Sequence, residues 1–233
     1  MGKNLGALLA FLSLFTGVTV ADWNILNKKT KSGFKISLKN YCESWRMNVE
    51  LNNIRGLEVV PEECIEYIGK YVKSTQYKVD SERAIEECTV YLSTSCTLKR
   101  DSRDAWIFDI DDTLLSTVPY YEEHNFRARP PALDHSLRLF NEMKARGVQI
   151  ILVSSRREHL RSATVDNLVN VGYHGVLATS IRKSKKYKAD TRKQLIGGGY
   201  RIWGIVGDQW SSFEELPSVE RTFKLSNSLY YVS

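Results

Sequence analysis

The sequence predicts an α/β fold, a doubly wound parallel sheet with helices on both faces behind an N-terminal helical appendage. Short apolar runs ending in polar residues recur at Ala105–Phe108, Val148–Val153, Gly175–Ala178 and Tyr200–Val206. The segments between them carry helical periodicity, and strands alternating with helices argue for a parallel sheet. Of 233 residues, 42% are hydrophobic and 26% charged, which excludes collagen-like and largely disordered chains. No repeat of solenoid length recurs. The formal charge of +6 is a mild excess and implies no nucleic-acid partner.

Residues 1–21 read as a signal peptide. Lys3 supplies the charge, Leu5 to Val20 is apolar or small, and Thr19-Val20-Ala21 offers a cleavage site. The run is shorter than the roughly 20 apolar residues needed to span a bilayer, so no stable membrane anchor is expected. Gly6 stands where myristoylation wants Ser or Thr. Cleavage removes Lys3 alone and leaves +5. The chain is thus expected to be secreted, to the vacuole or outside the cell.

Residues 22–104 form the appendage. Helices are expected from Asn40 to about Asn53, from Pro61-Glu62-Glu63 through Val72, and from a cap at Asp80 or Ser81 to about Leu92. All four cysteines, Cys42, Cys64, Cys88 and Cys96, lie here. An even count in an oxidising compartment favours disulfides that staple this segment, with three connectivities open. Cys88 and Cys96 are about 12 Å apart on an unbroken helix, too far to bridge unless it ends before Cys96.

Residues 105–233 form the sheet domain. Its helices are expected over Leu137 to Met143, stopping at Gly147, over Arg157 to Val171 with Gly172 as C-cap, and over Lys188 to Ile196. Gly197-Gly198-Gly199 reads as a helix stop, because no Lys-Ser/Thr follows it. The basic run Arg182, Lys183, Lys185, Lys186 reads as a solvated face. His124, His135, His159 and His174 lack ligand spacing, and Tyr120, Tyr121 and Trp210 are divided between site lining and core packing.

Ligands of open α/β sheets bind beyond the carboxyl ends of the strands. The residues there are Asp109, Asp111, Asp112 and Thr113, then Ser154, Ser155 and Arg156, then Lys188, then Asp208. A lone strand-end Asp is usually a helix cap. Three acids within four residues repel one another in a dry site, and a divalent cation with hard oxygen ligands, Mg²⁺, relieves that repulsion.

Phe108-Asp109-Ile110-Asp111-Asp112-Thr113-Leu114-Leu115 resembles the first motif of the haloacid-dehalogenase (HAD) superfamily. More narrowly, the chain resembles the plant class B (subfamily IIIB) acid phosphatases, the group that includes the vegetative storage proteins. Cys42-Glu43-Ser44-Trp45, Val60-Pro61-Glu62-Glu63-Cys64, Gly207-Asp208-Gln209-Trp210, Thr222-Phe223-Lys224-Leu225 and Asn227-Ser228-Leu229-Tyr230-Tyr231 carry the match. The resemblance implies a HAD-like sheet and hydrolysis of small phosphomonoesters. Asp109 is the implied nucleophile, forming an aspartyl-phosphate. Asp111 is the implied acid and base, and a period of two along an extended strand end puts it on the same side as Asp109. Thr113 shapes the turn, while Ser154 and Lys188 bind the phosphoryl group. Asp109, the backbone carbonyl of Asp111 and Asp208 would hold Mg²⁺. A homodimer is carried as an open expectation.

Three features depart from the family pattern. Ser212 replaces a second acid, and losing such an outer metal partner typically costs about 10–100-fold; Glu214 is nearby at a different spacing. The stretch Glu122 to Arg129 is too short for the usual insert, so the cap over the site is reduced. The connection from Thr179 to Lys188 is short as well. An enzyme is therefore expected, with activity impaired by Ser212 and the cap; the alternative is a weak or inactive storage or binding protein on the same scaffold.

Overall fold

The computed structural model describes residues 28–29, 33, 35–55, 60–118, 130–176, 178–182, 187–214, 217 and 219–230. The expected signal peptide, the reduced cap at 122–129, Tyr120, Tyr121, His124, Lys183, Lys185 and Lys186 lie outside the described residues.

Two short strands, β1 (Lys28–Lys29) and β2 (Lys35–Ile36), pair antiparallel ahead of three helices. Helix α1 (Leu38–Glu50) begins where Ser37 Oγ accepts the Asn40 N–H. A short 3-10 turn at Glu62–Cys64 precedes α2 (Ile65–Val72), so the helix starts later than Pro61 suggests. Helix α3 (Thr75–Thr94) is capped by Ser74, whose Oγ accepts the Tyr77 N–H. Asp80 and Ser81 are therefore interior helical residues and not the cap. Asp80 instead accepts hydrogen bonds from Tyr71 and Gln76.

The sheet domain runs β3 (Asp104–Phe108), α4 (Asp134–Ala145), β4 (Gln149–Arg157), α5 (Arg161–Asn170), β5 (Ala178–Arg182), α6 (Tyr187–Gly197), β6 (Arg201–Gly207) and β7 (Arg221–Lys224). All five strands pair in parallel, in the order β5-β4-β3-β6-β7. The third strand starts at Ala178, where the sequence expectation ended it, because Gly175 holds a φ of 71° that no strand adopts. Edge strand β7 is too short to announce itself by alternation, with Phe223 its one buried residue.

Alternate residues of the central strands point to opposite faces. Trp106, Phe108, Ile150, Leu152 and Val206 pack with Ile85, Cys88 and Leu92 of α3 and Leu139, Phe140 and Met143 of α4. Ile107, Ile151, Val153, Ile202 and Ile205 face Tyr187 and Leu195 of α6 on the other side. Gly204 lies opposite Trp106 in the ladder, and a Cβ there would collide with the indole ring. A third cluster, built on Cys42, Trp45, Val49, Ile68 and Tyr71, joins α1 to α2.

A Cys42–Cys64 disulfide closes that third cluster across 22 residues of sequence, while Cys88 and Cys96 are free thiols. Among the described residues, the staple is thus one bridge and not two. Severing it as Cys42→Ser/Cys64→Ser should lower stability by about 2–4 kcal/mol in denaturant unfolding.

At the sheet end away from the site, Asp104 accepts from the Lys99 N–H at 2.6 Å, Arg201 Nε at 2.8 Å and Trp203 Nε1 at 2.8 Å. Burial pushes its carboxyl up, but these three donors together hold it below the ordinary value. The folded state therefore binds its proton less readily than the unfolded chain. The resulting stability is complete above about pH 4 and lost as pH falls through the lowered value. Asp104→Asn should melt earlier than the parent at pH 7, with the gap closing as the pH approaches 3.

Candidate active site

Strand β3 stops at Phe108, and the Asp109 N–H still continues the ladder to the Val206 carbonyl at 2.9 Å. The chain then turns sharply: the N–H groups of Leu114 and Leu115 both reach the Ile110 carbonyl at 2.9 Å. Asp112 makes the turn with a φ of 47°, a left-handed conformation that Asp tolerates better than most residues. Its buried carboxylate is held by the Thr117 N–H at 2.7 Å, the Thr117 hydroxyl and the Tyr230 hydroxyl at 2.7 Å. Burial pushes this carboxyl up against those bonds.

Asp109 is buried beside Lys188 from the first turn of α6. Lys188 Nζ lies 2.8 Å from Asp109 Oδ2, and Ser212 Oγ donates to the same oxygen at 2.6 Å. Lys188 Nζ also donates to Ser212 Oγ at 2.8 Å, closing a triangle. Asp109 Oδ1 accepts the Ile110 N–H at 2.8 Å. A buried ion pair holds only when its remaining valences are satisfied, and this triangle meets that condition. Ser212 approaches so closely that a Cβ at Gly207 would sit 3.0 Å from its own Cβ.

Asp208 follows β6 and is fully enclosed. Thr113 Oγ1 donates to its Oδ1 at 3.1 Å, and Gln209 Nε2 and Asn227 Nδ2 donate to Oδ2 at 2.9 and 2.7 Å. Burial, together with the charges of Asp109 and Asp112, pushes its carboxyl up to about 7. Thr113 thus acts on Asp208 in addition to shaping the turn.

The Asp111 carboxylate pairs with Arg156. Arg156 Nη2 donates to Oδ1 at 2.6 Å and Nε reaches Oδ2 at 3.0 Å, while Nη1 is anchored on Thr164 Oγ1 at 3.0 Å. Ser154, fully buried in the second half of β4, accepts the Arg156 N–H at 3.1 Å. Glu214 is exposed and its carbonyl is taken by Arg192. Trp210 donates its indole N–H to the Glu50 carbonyl at 3.1 Å, so it faces the helical layer.

Among the described residues, no three His, Cys, Asp or Glu side chains gather as a metal cluster. The donor set nevertheless fits a hard cation. Asp109 and Asp208 are buried carboxylates close enough for one charge to disturb the other, and such a pair calls for positive charge between them. The remaining ligands would be main-chain carbonyl oxygen and water.

The sequence matches the family profile "HAD superfamily, subfamily IIIB (Acid phosphatase)" over residues 27–233. The chain belongs to that family. This phosphatase is 36% identical over 213 residues to Acid phosphatase 1 of Solanum lycopersicum, covering 82% of this chain and 83% of that one. It is 35% identical over 226 residues to Vegetative storage protein 1 of Arabidopsis thaliana, covering 87% and 82%. The fold is shared with the class C acid phosphatase of Bacillus anthracis solved with tungstate bound: TM-score 0.60, 16% identity, 71% of this chain and 84% of that one.

In the sequence, Asn227 and Tyr230 lie in segments that match the family and Arg156 at a strand end, each without an assigned role, and Arg192 carries no signal. Their signal is three-dimensional: each reaches the site from an element distant in sequence from the acid it serves. Arg156→Ala should leave Asp111 free to wander and lower the kcat for phosphomonoester hydrolysis on the order of 100-fold. Steady-state kinetics should show kcat falling more than KM rises.

Proposed function

We propose that this phosphatase hydrolyses small phosphomonoesters through an aspartyl-phosphate on Asp109, with Mg²⁺ as its cation, after entry into the secretory pathway. The observation that carries the chemistry is the buried Asp109 carboxylate with the Lys188 ammonium 2.8 Å away, a carboxylate nucleophile with a cation beside it for phosphoryl charge. The signal-peptide layout of residues 1–21 and the Cys42–Cys64 bridge support passage through an oxidising compartment, toward the vacuole or the exterior.

Oδ2 of Asp109 already receives Lys188 and Ser212, while Oδ1 receives one backbone N–H. Oδ1 therefore has the lone pair that attacks phosphorus as the bond to the leaving oxygen breaks. Asp111 delivers a proton to that oxygen from the position that Arg156 sets. Asp111 then takes a proton from water as the water attacks phosphorus, releasing phosphate and restoring Asp109. Lys188 and the Ser154 hydroxyl stabilise charge on the phosphoryl oxygens. Asp109, Asp208 and the Asp111 carbonyl would hold Mg²⁺, which when bound offsets charge on those carboxylates and on the phosphoryl group.

Ser212 favours a second reading, a storage or binding protein with little turnover, because a hydroxyl stands where the family pattern has an acid. An aryl phosphate assay at mildly acidic pH, with and without Mg²⁺ and beside Asp109→Asn, separates the two. Metal-dependent release should fall by on the order of 10³-fold or more in the variant. Release no greater than that of Asp109→Asn, from a chain folded by circular dichroism, would replace the enzyme reading with the second.

A further inference from the structure

We infer that Arg192 is a positioning residue of this site, acting through Ser212 on the Lys188–Asp109 pair. The inference rests on the reading of Asp109 as nucleophile. Arg192 lies one turn after Lys188 on α6, so the two side chains leave the same face of the helix. Lys188 contacts the side chains of Asp109 and Ser212. Arg192 contacts the backbone that carries Ser212.

Arg192 is nearly inaccessible, at 2% exposure. Its Nε donates to the Pro217 carbonyl at 2.9 Å, Nη2 to the Glu214 carbonyl at 2.6 Å and Nη1 to the Ser212 carbonyl at 3.4 Å. A buried cation is costly unless its donors are matched, and here neutral carbonyls of one loop match three of them. The rigid planar fork sets the curvature of that loop in a way a single ammonium would not. The loop follows the Trp210–Ser212 turn, which holds the Ser212 hydroxyl on Asp109 Oδ2. Asp109, Lys188, Arg192 and Ser212 line one small pocket with about 10 Å³ of free space, no more than a single water needs. A shift of the loop therefore reaches Asp109 directly.

The test uses the full chain and four variants: Arg192→Met, Arg192→Lys, Ser212→Ala and the double Arg192→Met/Ser212→Ala. Arg192→Met should lower kcat about 10–100-fold with KM within about threefold, the scale expected of misplaced reacting groups. Arg192→Lys, which keeps the charge, should recover part of the loss. In the Ser212→Ala background the Arg192→Met loss should shrink at least about fivefold, since both changes break one linkage. Equal losses in both backgrounds would overturn the inference. Amide hydrogen exchange of Ser212, Phe213 and Glu214 needs no turnover and tests the linkage if the parent chain proves inactive. Their N–H groups close the turn onto Gln209 and Trp210, and their exchange should quicken in Arg192→Met; unchanged exchange sinks the inference whatever the activity. Should Arg192→Met not fold, Arg192→Lys carries both readouts, with reduced kcat and quickened exchange expected and parental values overturning the inference.

Discussion

Negative charge crowded at the carboxyl end of β3 is the constraint on which the rest of the site depends. Asp109, Asp111 and Asp112 lie within four residues, and Asp208 arrives beside them from β6. Like charges in a dry environment drive one another toward protonation, and the fold answers by giving each acid its own partners. Asp109 has Lys188 and Ser212, Asp111 has Arg156, and Asp112 has Thr117 and Tyr230. Asp208, like Asp112, has only neutral donors, here Thr113, Gln209 and Asn227, and burial pushes both carboxyls up, that of Asp208 to about 7. A cation beside Asp109 and Asp208 would offset that charge.

Those partners come from every layer of the molecule. Lys188 and Arg192 ride on α6, Arg156 extends from β4, and Asn227 and Tyr230 belong to the segment after β7. The helical layer takes part through Glu50, at the end of α1. Its carboxylate pairs with Lys224 at 2.8 Å and accepts from Ser226 at 3.0 Å, and its carbonyl accepts from Trp210. The segments bearing Asn227 and Ser212 are thereby tied to α1. The N-terminal helices are thus more than an appendage in position: α3 packs on one sheet face, and α1 anchors the loops that hold Asp208.

Much of this was legible in the sequence because strands β3, β4 and β6 are buried on both faces and read as unbroken apolar runs. Polar residues closing such runs mark the site, so Asp109, Ser154 and Asp208 stand out by position alone. Lys188 needed the family resemblance, since four other cations precede it within six residues. The start of β5 was misplaced because Gly175 reads as a strand residue until its backbone angle is known. Ser74 was passed over as a cap because Asp80 and Ser81 offered the same chemistry closer to the apolar face. Arg192 has no local pattern, and a strand end and a matching segment mark Arg156 and Tyr230 without giving their roles, which are contacts across 20, 45 and 118 residues of chain.

Ser212 shows how one side chain sets the balance among these groups. A carboxylate at that position would compete with Asp109 for the Lys188 ammonium and add one more negative charge to the cluster. The hydroxyl instead donates to Asp109 and accepts from Lys188, so Asp109 is the carboxylate that the Lys188 ammonium pairs with. Both bonds draw electron density from Asp109 Oδ2. Relative to the family pattern, Ser212 therefore removes one negative charge from the cluster and leaves Asp109 with both a cation and a neutral donor.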